Sequence, residues 1–360
     1  MKTQRVIALL GRKDEPTDAV AEYCSYLGAA LTAHHIHLEI QPFPWEKIGW
    51  PLALAQLEKS AMGWRGQHIL VQYTALAWSA RGFPGKFLRV LEILKSAHAL
   101  INIVFHDVEP FPGTRWIDRL RRSIQIRTMR KALSIADGAV FTVPPEKLSW
   151  LIDIPANATF IPVGPNLPIL AAGIARVTSA IPTIGVFSIT GGDAGARETK
   201  RIIAAVSYAS QALGRLRLSI FGRHAELREA ELRQGLQNFQ VEISVEGVID
   251  PEQVVHKLSV CDLLLFVRGP ISSRRSSAIA AIACGLPIIA FSGSETAAPV
   301  TEAGVLLVPY EQPDRIQAVL VRVLSDASLR AELASRSRTA YELYFSWSVI
   351  GVCFATLLKT

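Results

Sequence analysis

The sequence predicts an α/β protein of two domains, each a parallel β-sheet that helices cover on both faces. Short β-branched or apolar runs alternate with helical patterns from one end of the chain to the other, which is typical of such sheets. The chain has 360 residues, a length that favours two domains. Half of the residues are hydrophobic and 19% are charged, which excludes a disordered chain.

The first half contains six apolar runs of strand length. They predict strands at 6–10, 36–40, 69–73, 100–105, 139–143 and 159–161. The helical patterns between them predict helices at 17–31, 87–97 and 115–136. A stretch rich in Pro, Gly and Ala follows at 162–182, and we place the domain boundary there.

The same alternation restarts after this stretch. It predicts strands at 183–189, 217–221, 241–245, 263–267, 286–290 and 305–308. The helices are expected at 197–213, 276–284 and 314–324, and a strongly apolar helix at 344–358 ends the chain. Ligands of open parallel sheets bind beyond the carboxyl ends of the strands, so we expect the functional residues in the loops after strands.

Composition and net charge limit the cellular compartments and the binding partners that we expect. The net charge of +7 and the pI of about 9.3 favour an anionic partner, either nucleic acid, lipid headgroups or a phosphorylated substrate. The four cysteines lie far apart, which predicts reduced core thiols and no metal site. Mean hydropathy is +0.27, yet we predict neither a spanning helix nor a signal peptide, and we expect a cytoplasmic protein.

A turn rich in hydroxyl groups and arginines follows a buried strand in the segment VRGPISSRRSSAIAAIACGLPIIA. Arg274 and Arg275 come directly before Ser276 and Ser277, where an Ala-rich helix begins. Free amides at a helix start bind anions, and guanidinium groups add charge-assisted hydrogen bonds to phosphate. We predict a diphosphate site here; the alternative is an ordinary helix start with two solvated arginines.

The sequence AIACGLPIIAFSGSE, followed by EAGVLLVPYEQPDRIQAVLVRVL, resembles the donor-site signature of glycosyltransferase family 4. The resemblance implies the GT-B fold, two facing Rossmann-like, doubly wound domains with an interdomain cleft. It assigns 1–165 to the acceptor, 166–182 to a linker and 183–343 to the donor. Residues 344–360 then form a helix that crosses back to the first domain, or else pack in the core of the second.

The resemblance also implies the reaction, the retaining transfer of a hexose from a nucleotide-diphosphate sugar of UDP or GDP type. Neither a metal nor a cofactor is expected. Such enzymes usually carry two glutamates eight residues apart, and the alignment places Ser272 and Ala280 there. We therefore expect a divergent nucleotide and ribose region, formed by Ser272, Ala280 and Glu295. The alternative is a catalytically inactive subunit that binds nucleotide or glycan.

Further residues after strands are predicted to join the diphosphate site. Gly191 and Gly192 stand between a strand and a helix, where glycine lets a phosphate approach the backbone. A plain strand-to-helix turn explains these glycines equally well. Arg223 follows the end of another strand and is predicted to contact the same ligand.

His106 and Asp107 end the strand INIVF and precede a loop rich in Pro and Gly. An imidazole at the carboxyl end of a strand can contact a reacting sugar, and the resemblance implies that a His-Asp pair in this context does so. We predict that both residues are catalytic. The alternatives are a core histidine and an aspartate that orients the loop.

The acceptor is expected to bind at the ends of the first and third strands. Either Thr17 or Asp18 is expected to cap the first helix. Trp78 is expected either to stack on a sugar or to pack between the domains. The predicted acceptor and loop residues are Arg12, Lys13, Asp18, Gln72 and Tyr73.

Much of the positive charge is concentrated in one segment of the chain. Residues 115–131 hold seven basic residues and one acidic residue, a net +6, with Trp116 and other apolar residues at helical spacing. Such a helix can lie on an anionic membrane surface, and the alternative is an ordinary surface helix. Nucleic acid is not expected, because no nucleic-acid-binding motif accompanies the charge.

The sequence therefore predicts a cytoplasmic enzyme, peripheral on the inner face of the plasma membrane. It would transfer a hexose to a lipid-linked or cell-surface polysaccharide acceptor. A sugar-nucleotide epimerase and an NAD-dependent dehydrogenase are weaker alternatives, the second because no dinucleotide fingerprint is present.

Overall fold

The structure, a computed structural model, describes residues 3–13, 18–168 and 180–359. The chain divides into two compact units, Met1–Pro162 with Trp347–Thr360, and Val163–Ser346. Thr17, and most of the linker expected at 166–182, lie outside the described residues.

The first unit is built on a six-stranded parallel sheet in the order β2-β1-β3-β4-β5-β6. The strands are β1 (Gln4–Leu10), β2 (Ile36–Pro42), β3 (His68–Tyr73), β4 (Leu100–Phe105), β5 (Gly138–Phe141) and β6 (Ala158–Phe160). The helices are α1 (Ala19–Thr32), α2 (Trp45–Ile48), α3 (Trp50–Ala61), α4 (Phe87–Ser96) and α5 (Trp116–Ile135).

The second unit repeats the design with the order β12-β11-β10-β7-β8-β9. Its strands are β7 (Thr183–Phe187), β8 (Leu216–Phe221), β9 (Val241–Glu246), β10 (Leu263–Pro270), β11 (Ile288–Ser292) and β12 (Val305–Pro309). Its helices are α6 (Gly192–Leu213), α7 (Glu229–Leu236), α8 (Pro251–Ser259), α9 (Ser276–Ala283), α10 (Arg315–Ser325) and α11 (Ala327–Ala340). The last helix of the chain, α12 (Trp347–Leu357), belongs to the first unit.

The central strands of both sheets are buried on both faces, as the continuous apolar runs predict. Val6, Ile7 and Ala8 of β1 are all inaccessible to solvent, and so are Leu263, Leu264 and Leu265 of β10. Each unit has its own apolar core, in which helices pack against the sheet. The predicted α/β fold class, with two doubly wound parallel sheets, is confirmed.

Strand order reverses once in each sheet. In the first unit the reversal falls between β1 and β3, and in the second between β7 and β10. At such a point the connections leave toward opposite faces of the sheet, so a crevice opens beyond the carboxyl ends of the two central strands. The fold therefore offers one ligand-binding position in each unit.

Two helix starts differ from the sequence predictions. The helix expected at 197 begins at Gly192, because Gly191 serves as its N-cap and the glycine-rich turn is part of the first helical turn. The helix expected at 344 begins at Trp347, because Ser346 is extended and separates it from the preceding turn.

The three most buried thiols lie in the cores. Cys24, Cys261 and Cys284 are buried and unbridged, as expected. Burial raises the pKa of Cys284 to about 12, which keeps it protonated and unreactive.

By length and composition, residues Ala327–Leu357 meet the criterion for a membrane-spanning helix, whereas the sequence analysis predicted none. The run has a mean hydropathy of 1.2 over its most apolar window, and 44% of that window is buried. The extended Ser346 interrupts it. The apolar part beyond the interruption packs inside the first unit.

The packing of α12 on α1 is close. A Cβ on Gly351 would lie 3.1 Å from Ala30 Cβ, so the two backbones approach each other where both residues are small. Trp347 stacks on Tyr26 with ring centroids 5.7 Å apart and also contacts Tyr23. The apolar face of α12 therefore forms part of the first unit's core.

Shortening a core side chain of α12 tests this packing. Phe354 is inaccessible to solvent, so we expect Phe354→Ala to lower the free energy of unfolding by about 3–5 kcal/mol. Val352 lies on the exposed side of the same helix, and Val352→Ala should change it by less than about 0.5 kcal/mol. Urea unfolding followed by circular dichroism measures both. Equal effects of the two variants would contradict the packing.

Candidate functional site

A cavity of about 80 Å³ lies at the strand reversal of the first unit. Its wall includes Gly11 and Arg12 after β1, Asp18 at the start of α1, and Gln72 and Thr74 at the end of β3. The structure therefore brings together three of the residues predicted on the acceptor side, namely Arg12, Asp18 and Gln72. Lys13 is exposed and does not line this cavity.

The loop after β1 is held against the loop after β3. Arg12 N donates to Ala77 O at 2.8 Å. A Cβ on Gly11 would lie 2.4 Å from the same carbonyl oxygen, so only glycine permits this approach. Arg12 also lies 3.7 Å from the Glu46 carboxylate. The cavity wall is thus fixed by backbone contacts.

Asp18 caps α1 and is one of the two residues that were predicted for this role. Its Oδ1 accepts hydrogen bonds from Val20 N at 2.9 Å and from Ala21 N at 2.8 Å. These bonds satisfy amides that the first helical turn leaves without a partner. A structural role therefore accompanies any contact that Asp18 makes with a ligand.

His106 is oriented by Gln72. The amide nitrogen of Gln72 donates to Leu70 O at 3.2 Å, which turns its Oε1 toward His106 Nε2 at 2.8 Å. Because Oε1 can only accept, Nε2 of His106 carries a proton in this contact. The ring also meets Tyr23 edge-to-face, with centroids 4.9 Å apart. His106 is therefore half-buried in a fixed orientation at the end of β4.

Asp107 orients a loop. Its Oδ2 accepts from Ala75 N at 2.9 Å, which ties the end of β4 to the loop after β3. This contact matches the alternative expected for Asp107 and leaves a catalytic role as a prediction.

Burial corrects the expectation for two aromatic residues. Tyr73 is 1% exposed and packs against Phe87 and Phe105. Successive residues of a strand point to opposite faces, so Tyr73 enters the core where Gln72 reaches the cavity. Trp78 is equally buried and donates to Gln72 O at 2.9 Å. Neither offers a ring face on which a sugar could stack.

In the second unit, Arg274 forms a bidentate ion pair with Glu295. Arg274 Nε lies 2.7 Å from Glu295 Oε2, and the second nitrogen lies 2.8 Å from Oε1. Ser272 Oγ donates to the same carboxylate at 3.1 Å. The predicted diphosphate and nucleotide regions therefore meet, but one of the predicted phosphate-binding guanidinium groups already holds a carboxylate.

The charge of Glu295 is maintained by this pair. Burial raises the pKa of the carboxyl, but the hydrogen bonds and charge of Arg274, helped by Arg275 and Ser272, outweigh burial and hold the pKa below its usual range. The sequence analysis placed Glu295 in this region without predicting its partner. The two residues are 21 positions apart, after successive strands, so no local pattern connects them.

The start of α9 has the predicted position. Arg275 N donates to Ser272 O at 3.1 Å, and Ser276 is the first helical residue. Ser277 and Ala280 are buried within the unit. Ala280 is 2% exposed, which corrects its assignment to the nucleotide region, because a methyl group in the core presents nothing to a ligand.

The turn after β7 is joined to the turn after β8. Ile189 N donates to Arg223 O at 2.9 Å, so Arg223 lies beside the residues that precede Gly191 and Gly192. Both glycines are exposed, and a Cβ on Gly192 would meet no atom within 4 Å. The predicted phosphate-binding glycines therefore border open space at the carboxyl end of β7, and a plain strand-to-helix turn still explains them.

Arg268 is a candidate that sequence reasoning missed. The strand expected to end at 267 continues to Pro270, so Arg268 lies at the carboxyl end of β10, next to the strand reversal. Its Nε is buried and has no hydrogen-bond partner among the described residues. Burial lowers the pKa of Arg268; Glu198 raises it, and Arg223 lowers it further. The sequence signal that could have identified Arg268 is an arginine directly after an apolar strand.

Helix α5 has a basic and partly apolar exposed surface. Trp116 is 76% exposed, and Leu120 and Phe111 are also exposed. Arg121 is engaged inside the unit, since it pairs with Asp118 at 2.6 Å and stacks on Phe83 and Phe111. Arg130 donates to Trp150 O. The exposed basic side chains of α5 are Arg119, Arg122, Arg127, Arg130 and Lys131.

Comparisons with known proteins agree with this architecture. No model of a known protein family matches the chain. A GDP-mannose-dependent monoacylated alpha-(1-6)-phosphatidylinositol monomannoside mannosyltransferase of Corynebacterium glutamicum is 23% identical over 138 residues. That match covers 37% of this chain and only 36% of the length of the relative.

Solved structures match over the whole chain. HepE of Anabaena, solved with UDP and glucose, has a TM-score of 0.64 at 15% identity and covers 99% of both chains. A glycosyltransferase of Rickettsia africae has a TM-score of 0.68 at 12% identity, covering 100% of this chain and 98% of its own. MurG of Acinetobacter baumannii has a TM-score of 0.55 at 11% identity and covers 99% of both. The chain therefore has the GT-B fold.

The Arg274–Glu295 pair predicts a pH-dependent stability. At pH 7, Glu295→Gln should lower the free energy of unfolding by about 1–3 kcal/mol, because it removes a charged hydrogen-bond acceptor. The folded pKa of Glu295 lies below the unfolded pKa of about 4.3, so the unfolded chain takes up the proton first as pH falls. The difference between the two proteins should therefore shrink between pH 5 and the lower folded pKa. Urea unfolding across this range measures it, with exposed Glu311→Gln as control. A difference that is constant with pH would contradict the pairing.

Proposed function

We propose that the chain is a glycosyltransferase that takes its sugar from a nucleotide-diphosphate donor. The observation that carries the proposal is the positive charge at the carboxyl ends of β8 and β10, on either side of β7, where strand order reverses. A fold alone does not determine function, but this edge of a doubly wound sheet is where such sheets bind phosphorylated ligands.

The second unit would bind the donor. Ser272 and Glu295 would contact the nucleotide, since a charged carboxylate can accept hydrogen bonds from hydroxyl groups. The diphosphate would lie among Arg275, Ser276, Ser277, Gly191, Gly192 and Arg223, beside the Arg274–Glu295 pair. A donor of UDP or GDP type agrees with the HepE complex and with the curated mannosyltransferase, whose names mention UDP and GDP-mannose.

The first unit would bind the acceptor at its cavity, through Arg12, Asp18 and Gln72. His106 would contact the donor sugar, and its hydrogen bond to Gln72 fixes the ring for that contact. Asp107 would support it by holding the loop after β3.

The transfer itself would follow the retaining course. The bond between the anomeric carbon and the diphosphate oxygen breaks, and the electron pair leaves with the diphosphate. The acceptor hydroxyl oxygen then bonds to the same carbon from the same face, and its proton passes to an oxygen of the departing diphosphate. Arginine side chains and main-chain amides would stabilise the charge that develops on the leaving group, without a metal ion. No protein nucleophile is required.

The acceptor would be lipid-linked or part of a cell-surface polysaccharide, reached from the cytoplasmic side of the membrane. The exposed Trp116 and the basic residues of α5 suit a position on anionic lipid, where aromatic rings enter the interface and each basic residue contributes about 1 kcal/mol.

A catalytically inactive subunit that binds nucleotide or glycan is the second candidate. Two observations favour it. Serine at 272 and alanine at 280 supply no carboxylate where an active relative is expected to have one, and both residues are buried. Glu295, the acidic residue that Ser272 contacts, is already paired with Arg274.

Binding and turnover separate the two candidates. We expect the purified protein to bind one nucleoside diphosphate more tightly than the matching nucleoside, because guanidinium groups recognise the phosphates. Calorimetric titration with UDP, GDP, ADP and TDP and their nucleosides measures this. Release of the nucleoside diphosphate from its sugar donor, with native membranes present, would then identify an enzyme. Binding without release indicates the inactive subunit, and equal affinity for nucleoside and diphosphate would contradict the donor site.

A vesicle assay tests the membrane surface. Because Arg121 and Arg130 make contacts within the unit, the variant removes Arg119, Arg127 and Lys131, which are exposed. We expect the triple glutamine variant to bind phosphatidylserine vesicles at least tenfold more weakly than the parent, since about 1 kcal/mol is lost per residue. A triple glutamine variant of Arg315, Arg322 and Arg336, on other helices, is the control. Parent binding that is absent or insensitive to salt would contradict the proposal.

A further inference from the structure

Arg268 and Arg223 place two positive charges beside the strand reversal of the second unit. Arg268 lies near the carboxyl end of β10 and Arg223 follows β8, and these two strands flank β7 on its two sides. The main chain ties the turn after β8 to the turn after β7, because Ile189 N donates to Arg223 O at 2.9 Å. Parallel strands end at one edge, so both guanidinium groups lie at the carboxyl end of the sheet.

The surroundings of Arg268 destabilise its charged side chain. Its Nε is buried without a hydrogen-bond partner among the described residues, although a buried donor is normally paired. Two charged groups influence it, the carboxylate of Glu198 and the guanidinium of Arg223. The Glu198 carboxylate is shared, because its Oε2 accepts from Thr190 N at 2.8 Å. Arg268 thus lies in a half-buried place, with Arg223 as a like charge nearby.

The space next to these groups is open. Gly192, after β7, and Gly269, after Arg268, both adopt positive φ, and a Cβ on either would meet no atom within 4 Å. The exposed Gly191 lies beside the ring of His224, at 3.4 Å from where its Cβ would be. Backbone without side chains therefore borders the two arginines.

We propose that Arg268, together with Arg223, binds the diphosphate of the donor in this open space, and that Arg274 serves to hold Glu295. The inference rests on the proposed function for the identity of the ligand, whereas the position of the anion site rests on the two arginines. A dianion supplies the hydrogen-bond acceptor that Arg268 Nε lacks among the described residues, and its charge offsets the repulsion between the two like charges. The assignment also explains why Arg274 can be occupied by a carboxylate without loss of the diphosphate site.

Arg268→Met tests the proposal because a ligand-binding arginine and a structural arginine respond in opposite ways. Methionine fills similar apolar space and removes the buried charge, so the unfolding temperature without ligand should stay equal or rise. Inorganic pyrophosphate should raise the unfolding temperature of the parent protein and leave that of the variant unchanged. The affinity for the best nucleoside diphosphate should fall at least tenfold, while the affinity for its nucleoside is retained.

Arg217→Met is the matched control, because Arg217 lies near the amino-terminal end of β8, at the opposite edge of the same sheet. It should keep the parent's response to pyrophosphate. If Arg268→Met does not fold, Arg223→Gln replaces it, and the same loss of response is expected.

The outcomes are distinct. A full pyrophosphate response in Arg268→Met, or in Arg223→Gln where that variant is used, overturns the inference. So does a parent protein that does not respond to pyrophosphate. If the parent binds nucleoside diphosphate and Arg268→Met binds it equally well, the inference fails and the proposed function stands. If pyrophosphate binds through Arg268 but no nucleoside diphosphate binds, the anion site stands and the proposed function fails.

Discussion

All strands of a parallel sheet end at the same edge, and wherever their order reverses, helices leave the two central strand ends uncovered. Both units obey this constraint, at β1 and β3 in the first and at β7 and β10 in the second. Residues distant in sequence meet there for a topological reason. The Gln72–His106 contact and the approach of Arg223 to the turn after β7 both follow from neighbouring strands that end together.

Electrostatics distinguishes the two arginine sites of the second unit. Arg274 has a carboxylate partner with good bidentate geometry, which is what a half-buried guanidinium needs in order to be stable. Arg268 lies near both Glu198 and Arg223 and keeps a buried nitrogen without a hydrogen bond among the described residues. A charge that destabilises the free protein and that a ligand would neutralise is typical of a functional site. Burial and pairing therefore favour Arg268 over Arg274 as the proposed ligand of the diphosphate.

The sequence predicted the sheets better than the side-chain partners. Apolar runs and helical periodicity depend on local pattern, and all twelve expected strands are present, with ends shifted by a few residues. Tyr73 was expected at the acceptor site, and Trp78 on a sugar or between the domains, but the alternation of β3 and the contacts of the core bury them. The Arg274–Glu295 pair joins residues 21 positions apart, and Arg268 was missed because the expected strand ended three residues too early. Such contacts depend on tertiary structure, which local pattern does not contain.

Hydrogen exchange of the whole chain, with and without a saturating nucleoside diphosphate, tests the central claim most directly. If the diphosphate binds at the strand reversal of the second unit, peptides covering 188–196 and 266–276 should exchange more slowly with the ligand, and those near Arg217 should not change. Unchanged exchange in both peptides, with slowing elsewhere in the chain, would contradict the claim.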